Sequence, residues 1–263
     1  MKKVLVLVLV LALVMSFAAC GSSSAPKGMK VLTVAVDDTY PPMEFRDENN
    51  ELVGLDIDFT EAIAAEMGVE VEYVIMGWDA IFAALVNDKY DCIISSVSTT
   101  KERQATIDFS IPYLANGQVI MVVPGDDSIT TMADLAGKKV GVQFETTADI
   151  AAQKALETVE FELVAQDDMT TVLAAMEAGK LDCIVADYAV AAGATAAKPD
   201  SFAISSVQLT NEPIAVAINK GNTELVEAVN AAITTISENG TLSAICIKYL
   251  DADMTQNIDT ELR

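Results

Sequence analysis

The order of apolar and polar positions along this 263-residue chain switches repeatedly between two periods. Residues 31–36 (VLTVAV) form a short apolar run of strand length, and residues 69–75 (VEVEYVI) alternate apolar and acidic positions as a half-exposed strand does. Between them, residues 55–67 (LDIDFTEAIAAEM) place apolar side chains at helical spacing and stop at Gly68, a residue suited to a helix C-cap. The spacing predicts a second helix over 78–87 and a buried strand over 91–95. After the apolar run 118–123 and Pro124 the pattern restarts, with strand 139–142, helix 146–156, strand 161–164, helix 169–178 and strand 181–186. Helices over 224–238 and 242–249, broken at Asn239-Gly240, follow. Alternation of this kind predicts an α/β fold with mostly parallel sheets covered by helices.

One phrase occurs twice. "NDKYDCIISSVS" (87–98) and "AGKLDCIVADYA" (178–189) share Lys, Asp, Cys and Ile in register. Each reads as a helix end, a turn and the entry to a strand, so two lobes of like topology are expected. The carboxyl ends of such strands are where α/β folds bind ligands. They carry Ser95, Ser96, Val97 and Ser98 in one half, and Ala186, Asp187 and Tyr188 in the other. The apolar runs 118–123 and 214–218 read as crossings between lobes. That makes the first lobe discontinuous (30–119 with 215–263), the second an insertion (120–214), and the crossings a hinge.

The N-terminus stands outside this pattern. Lys2-Lys3, an apolar run and the small residues before Cys20 make a secretory signal over 1–19. The run falls short of the ~20 residues a membrane-spanning helix needs. Cys20 directly after Ala18-Ala19 resembles a bacterial lipobox cysteine, the lipidated first residue of a mature lipoprotein, although Phe17 stands where Leu is usual. Residues 20–29 then form a Gly/Ser-containing tether. Cys92, Cys183 and Cys246 are an odd set without CxxC spacing, and the first two read as small buried side chains. A formal net charge of −23 leaves no basic face for nucleic acid. With no histidine, Ser–His–Asp hydrolysis and His-ligated zinc are excluded. No metal or cofactor is expected.

Longer motifs appear in order: "VAVDDTYPPMEF" (34–45), "ELVGLDIDFTEAIA" (51–64), "WDAIFAAL" (78–85), "DCIISSVSTTKERQATIDFSIPY" (91–113), "DLAGKKVGVQFETTAD" (134–149), "LDCIVADYAVA" (181–191) and "ENGTLSAICIKYL" (238–250). Together they resemble the extracellular solute-binding proteins of polar amino acid ABC uptake systems. The resemblance covers nearly the whole chain beyond the tether. It implies a two-lobed clamshell, the periplasmic binding protein-like type 2 fold, with two hinge crossovers.

By that resemblance Arg103 clamps the ligand α-carboxylate, a role suited to the planar fork of a guanidinium. Ser95, Ser96 and Ser98 form the polar strand end beside it, with Ser96 and Ser98 adding hydroxyl and N–H donors. Thr147 adds a donor from a helix N-terminus, which favours an anion. Asp187 accepts the α-ammonium. Asp37, Tyr40, Trp78 and Gln143 line the side-chain pocket. Glu145 replaces the usual glycine before Thr-Thr, and its carboxylate either favours a cationic ligand or faces solvent.

The implied function is capture of a free polar L-amino acid, basic ones included, by a lipid-anchored monomer on the outer face of a bacterial cell membrane. Lobe closure would present the ligand to permease subunits driven by a separate ATPase, since no GxxxxGK[ST] phosphate loop is present. The competing readings are an enzyme resembling cyclohexadienyl dehydratases and an amino-acid sensor on the same fold.

Overall fold

The computed structural model describes residues 25–205 and 208–261. The expected signal segment, Cys20 and the first part of the tether lie outside them. In chain order the first half holds β1 (Val31–Val36), a small antiparallel sheet of β2 (Thr39–Tyr40), β3 (Glu44–Arg46) and β4 (Leu52–Val53), then α1 (Leu55–Met67), β5 (Glu70–Ile75), α2 (Trp78–Val86), β6 (Cys92–Ile93), α3 (Lys101–Thr106) and β7 (Ile107–Phe109). Next come β8 (Gln118–Val122), a 3₁₀ turn (Met132–Leu135), β9 (Lys139–Gln143), α4 (Thr147–Leu156), β10 (Glu162–Gln166), α5 (Met169–Glu177), β11 (Cys183–Asp187), α6 (Tyr188–Ala197) and β12 (Ala203–Ile204). The chain returns through β13 (Ala217–Asn219) to α7 (Thr223–Glu238) and α8 (Thr241–Leu250).

Two five-stranded sheets result, ordered β5-β1-β6-β13-β7 and β10-β9-β11-β8-β12. The first three strands of each run parallel, and β13 or β8 enters antiparallel beside them. β6 and β11, the strands of the repeated phrase, hold the same place in the two sheets. The shared aspartate locks each strand to its neighbour. Asp91 Oδ2 accepts from the N–H (2.8 Å) and hydroxyl (2.6 Å) of Thr33 in β1, and Asp182 Oδ2 accepts from the N–H of Lys139 in β9 (2.7 Å). The cysteines are fully buried filler. Burial pushes the Cys183 thiol up to about 12 and moves Cys92 further in the same direction.

Both sheets are covered on both faces, which requires alternating side chains to be apolar in each direction. In β11, Ile184 and Ala186 enter the large core while Cys183 and Val185 enter a second one beneath α4. Gly68 ends α1 at φ 70, and its N–H reaches back to the carbonyls of Ala64 and Ala65, the C-cap the sequence predicts.

The apolar runs read as crossings are strands. Residues 118–122 form β8, and Ile214 leads into β13. The segments that pass between sheets lie just before them, at 114–117 and 208–213, and they pair with each other. Ile214 N–H donates to the Leu114 carbonyl (2.9 Å), Glu212 N–H to Asn116 (2.9 Å) and Leu209 N–H to Gln118 (2.7 Å). An apolar run marks burial inside a sheet, whereas a segment spanning two sheets keeps polar groups. Beyond α8 the chain straps this region: Ala115 N–H donates to the Met254 carbonyl (2.8 Å), and Asn211 Nδ2 to those of Asp259 (3.0 Å) and Glu261 (2.8 Å).

Candidate functional site

A narrow cavity opens where the carboxyl ends of the parallel strands converge. All ten residues singled out in the sequence line it, together with Glu44 and Thr146. Asp37 follows β1, Tyr40 lies on β2, and Trp78 starts α2. Ser95, Ser96 and Ser98 follow β6. From the second sheet, Gln143 ends β9, Thr147 starts α4, and Asp187 ends β11. Thus two structurally matching strand ends, those of the repeated phrase, face one space.

Arg103 is held on α3, whose N-cap Thr100 accepts from the Arg103 N–H (3.1 Å). Its guanidinium donates to the Ser98 carbonyl (2.9 Å) and lies over the rings of Trp78 (5.3 Å) and Phe82 (4.7 Å). Among the described residues it joins no salt bridge. Burial pulls its pKa down to about 10, opposed by the charges of Asp187 and Glu212. A cation held this way, with free N–H groups and no carboxylate in contact, is suited to an anionic group from outside.

Asp187 is buried and takes three donors: the Tyr40 hydroxyl on Oδ2 (2.6 Å), and Asn116 Nδ2 (2.8 Å) and Gln118 Nε2 (2.7 Å) on Oδ1. Burial raises its pKa, and the Tyr40 and Asn116 bonds oppose the rise. Asp37 is buried as well, with Thr39 Oγ1 on Oδ1 (2.7 Å) and Gln143 Nε2 on Oδ2 (2.8 Å). Burial raises it too, against those same bonds. Gln143 Oε1 is buried without a partner among the described residues, an acceptor directed to no protein donor.

Three bonds cross the cavity: Tyr40 to Asp187, Gln143 to Asp37, and Trp78 Nε1 to the Glu145 carbonyl (3.1 Å). The Ser96 N–H (2.5 Å) and hydroxyl (3.0 Å) both donate to Asp56 Oδ2, so Ser96 supports the floor of the cavity and keeps neither donor for a ligand. Thr147 Oγ1 accepts from Gln118 Nε2 (2.9 Å) at the start of α4. Glu145 is exposed and lies outside the lining.

Sequence patterning gives no signal for Glu44, since its strand β3 is only three residues long. Asn116, Gln118, Asp56 and Tyr113, which hold the lining from behind, carry no periodic signal. Their only sequence mark is to be polar in otherwise apolar runs.

Residues 32–252 match the bacterial extracellular solute-binding proteins, family 3. The chain belongs to that family. It is 32% identical over 244 residues to the L-cystine-binding protein TcyJ of Escherichia coli strain K12, covering 92% of this chain and 91% of that protein. An ancestral arginine-binding protein bound to arginine superposes with a TM-score of 0.78 at 37% identity, covering 83% of this chain and 97% of the other. The ancestral amino acid-binding protein AncCDT-1, a precursor of cyclohexadienyl dehydratase, superposes with a TM-score of 0.77 at 34% identity, covering 84% and 95%. The fold is the type 2 periplasmic binding protein clamshell, and the chain is an amino-acid-binding protein of an ABC uptake system. No helix among the described residues is long and apolar enough to cross a membrane.

Proposed function

We propose that the chain captures a free L-amino acid with a cationic side chain, holds it between the two sheets without chemical change, and releases it to membrane permease subunits. Arg103 takes the α-carboxylate with help from Thr147 and the N-terminus of α4, and Asp187 takes the α-ammonium. The observation that carries the choice of side chain is a charge balance. A zwitterionic backbone neutralises Arg103 and Asp187, which leaves Asp37 buried between neutral donors and in need of a cation. Trp78 and Tyr40 offer aromatic faces to the same side chain. The arginine-bound relative supports this reading. An anchor at Cys20 keeps the protein at the outer face of the membrane. The enzyme reading loses ground because the polar groups of the cavity are committed to a clamp for both ends of an amino acid.

Calorimetric titration with arginine, lysine and histidine, each set against a neutral analogue such as citrulline or norleucine, tests the charge balance. One cationic ligand should bind about 10- to 100-fold more tightly than its neutral counterpart, the range for a hydrogen bond to a charged group. Asp37→Asn should erase that preference. Equal binding of arginine and citrulline by the unmodified protein rejects it. Recovery of Cys20→Ser in the membrane fraction, at the unmodified protein's level, would reject the anchor.

A further inference from the structure

Glu44 lines the cavity yet belongs to a deeper arrangement. It lies on β3 and is fully buried. Its Oε1 accepts from the Ser95 hydroxyl (2.6 Å), while Oε2 is buried with no donor among the described residues. The neighbour of Glu44 is Asp56, in the first turn of α1: both residues are fully buried, the Asp56 N–H donates to the carbonyl of Met43 beside Glu44 (2.8 Å), and the two side chains hold the consecutive serines Ser95 and Ser96. Two carboxyl groups buried side by side disfavour double ionisation, so one of them keeps a proton.

The surroundings decide which one. Asp56 receives the Tyr113 hydroxyl on Oδ1 (2.8 Å) and two donors from Ser96 on Oδ2, and it sits where the dipole of α1 favours negative charge. Glu44 has Ser95 alone. With the proton on Glu44, its Oε2–H donates to Asp56, and the buried unpartnered oxygen is accounted for.

We propose that Glu44 is a positioning residue carrying a proton shared with Asp56, and that this proton leaves Asp37 as the one unbalanced charge facing the ligand side chain. The proposal rests on the amino-acid-binding reading given above. Glu44 acts through Ser95, whose hydroxyl oxygen accepts from the Asp37 N–H (3.0 Å). Asp56 acts through Ser96, which it holds at φ 49, two residues before the Ser98 carbonyl that orients Arg103. One proton therefore supports both ends of the site.

The titratable groups around Glu44 are Asp56 on α1, Asp37 after β1, Tyr40 on β2 and Tyr113 beside the first crossing. None is cationic. Burial first, and then the Asp56 charge, push the Glu44 carboxyl well above its ordinary range. The folded chain then holds a proton that the unfolded chain has already lost, so stability falls as pH rises from the unfolded carboxyl pKa through that of the folded pair.

The test uses the mature chain as the unmodified protein, Glu44→Gln and Glu44→Leu. Denaturant unfolding and the Kd of the best-binding amino acid are followed from pH 5 to 9. Glutamine can accept from Ser95 and donate to Asp56 but cannot ionise. Glu44→Leu should weaken the ligand about tenfold or more through loss of the Ser95 contact. Glu44→Gln should recover most of that affinity and should decline less in stability with rising pH than the unmodified protein, the gap between them closing toward acid pH. Parallel stability curves for the unmodified protein and Glu44→Gln would overturn the shared proton. A folded Glu44→Gln that binds no better than Glu44→Leu would overturn the positioning role. If no amino acid binds even the unmodified protein, the binding reading itself fails, while the stability curves still decide on the proton.

Discussion

Glu145 stands against its own backbone preference, at φ 58, where side chains other than glycine are strained. Its backbone is what the structure uses. The N–H donates to Asp149 Oδ2 (3.0 Å), and the carbonyl receives Trp78 from the opposite sheet. Glu145→Gly should relieve the strain and add about 0.5–1 kcal/mol of stability, net of the extra freedom of unfolded glycine. In a thermal melt that reads as a rise of roughly 1–4 °C, with ligand affinity unchanged because the side chain lies outside the cavity. A lower Tm, or a loss of affinity, would show that the carboxylate takes part after all. At this scale the family resemblance was informative: Arg103, Asp187, Asp37, Tyr40 and Trp78 all reach one cavity. It was silent on Glu44, because only tertiary packing decides which way a three-residue strand faces.

Among the elements, the long periodic ones fall within a residue or two of their predicted bounds, α1 and α5 among them. β2–β4 and the six-residue α3 are too short to show a period, and no pattern announces them. The two crossings were placed on the apolar runs beside them for the reason given above. α6 carries a further consequence. It packs on the second sheet, yet a Cβ added to its Gly193 would lie 2.2 Å from Cγ of Pro42, between β2 and β3 on the other side. Closure therefore depends on a bare helix face there. Gly193→Ala improves helix propensity by ~1 kcal/mol and should not lower ligand-free stability. It should weaken ligand binding about 5- to 100-fold, the effect of one overpacked contact in the closed form. Unchanged affinity by calorimetry would mean that the two faces do not have to meet.

At the scale of the whole molecule, two sheets of matching order are joined by paired crossings and braced by the segment after α8. The site exists only where the sheets face each other, since Arg103 and Asp37 come from one and Asp187, Gln143 and Thr147 from the other. The repeated phrase marks equivalent strands of the two sheets; the cysteine that makes it conspicuous is buried filler, and its aspartate is the structural lock. The acidic balance of the chain, with no histidine, leaves Arg103 as the cation lining the cavity for a carboxylate to find. The most direct test is calorimetric titration of the mature chain and of Arg103→Ala with the common L-amino acids. One amino acid should bind the unmodified protein at one per chain, and Arg103→Ala should bind it at least about 100-fold more weakly, as expected when one partner of a buried charged contact is removed. Absence of binding by every amino acid, or undiminished binding by Arg103→Ala, would contradict the clamp.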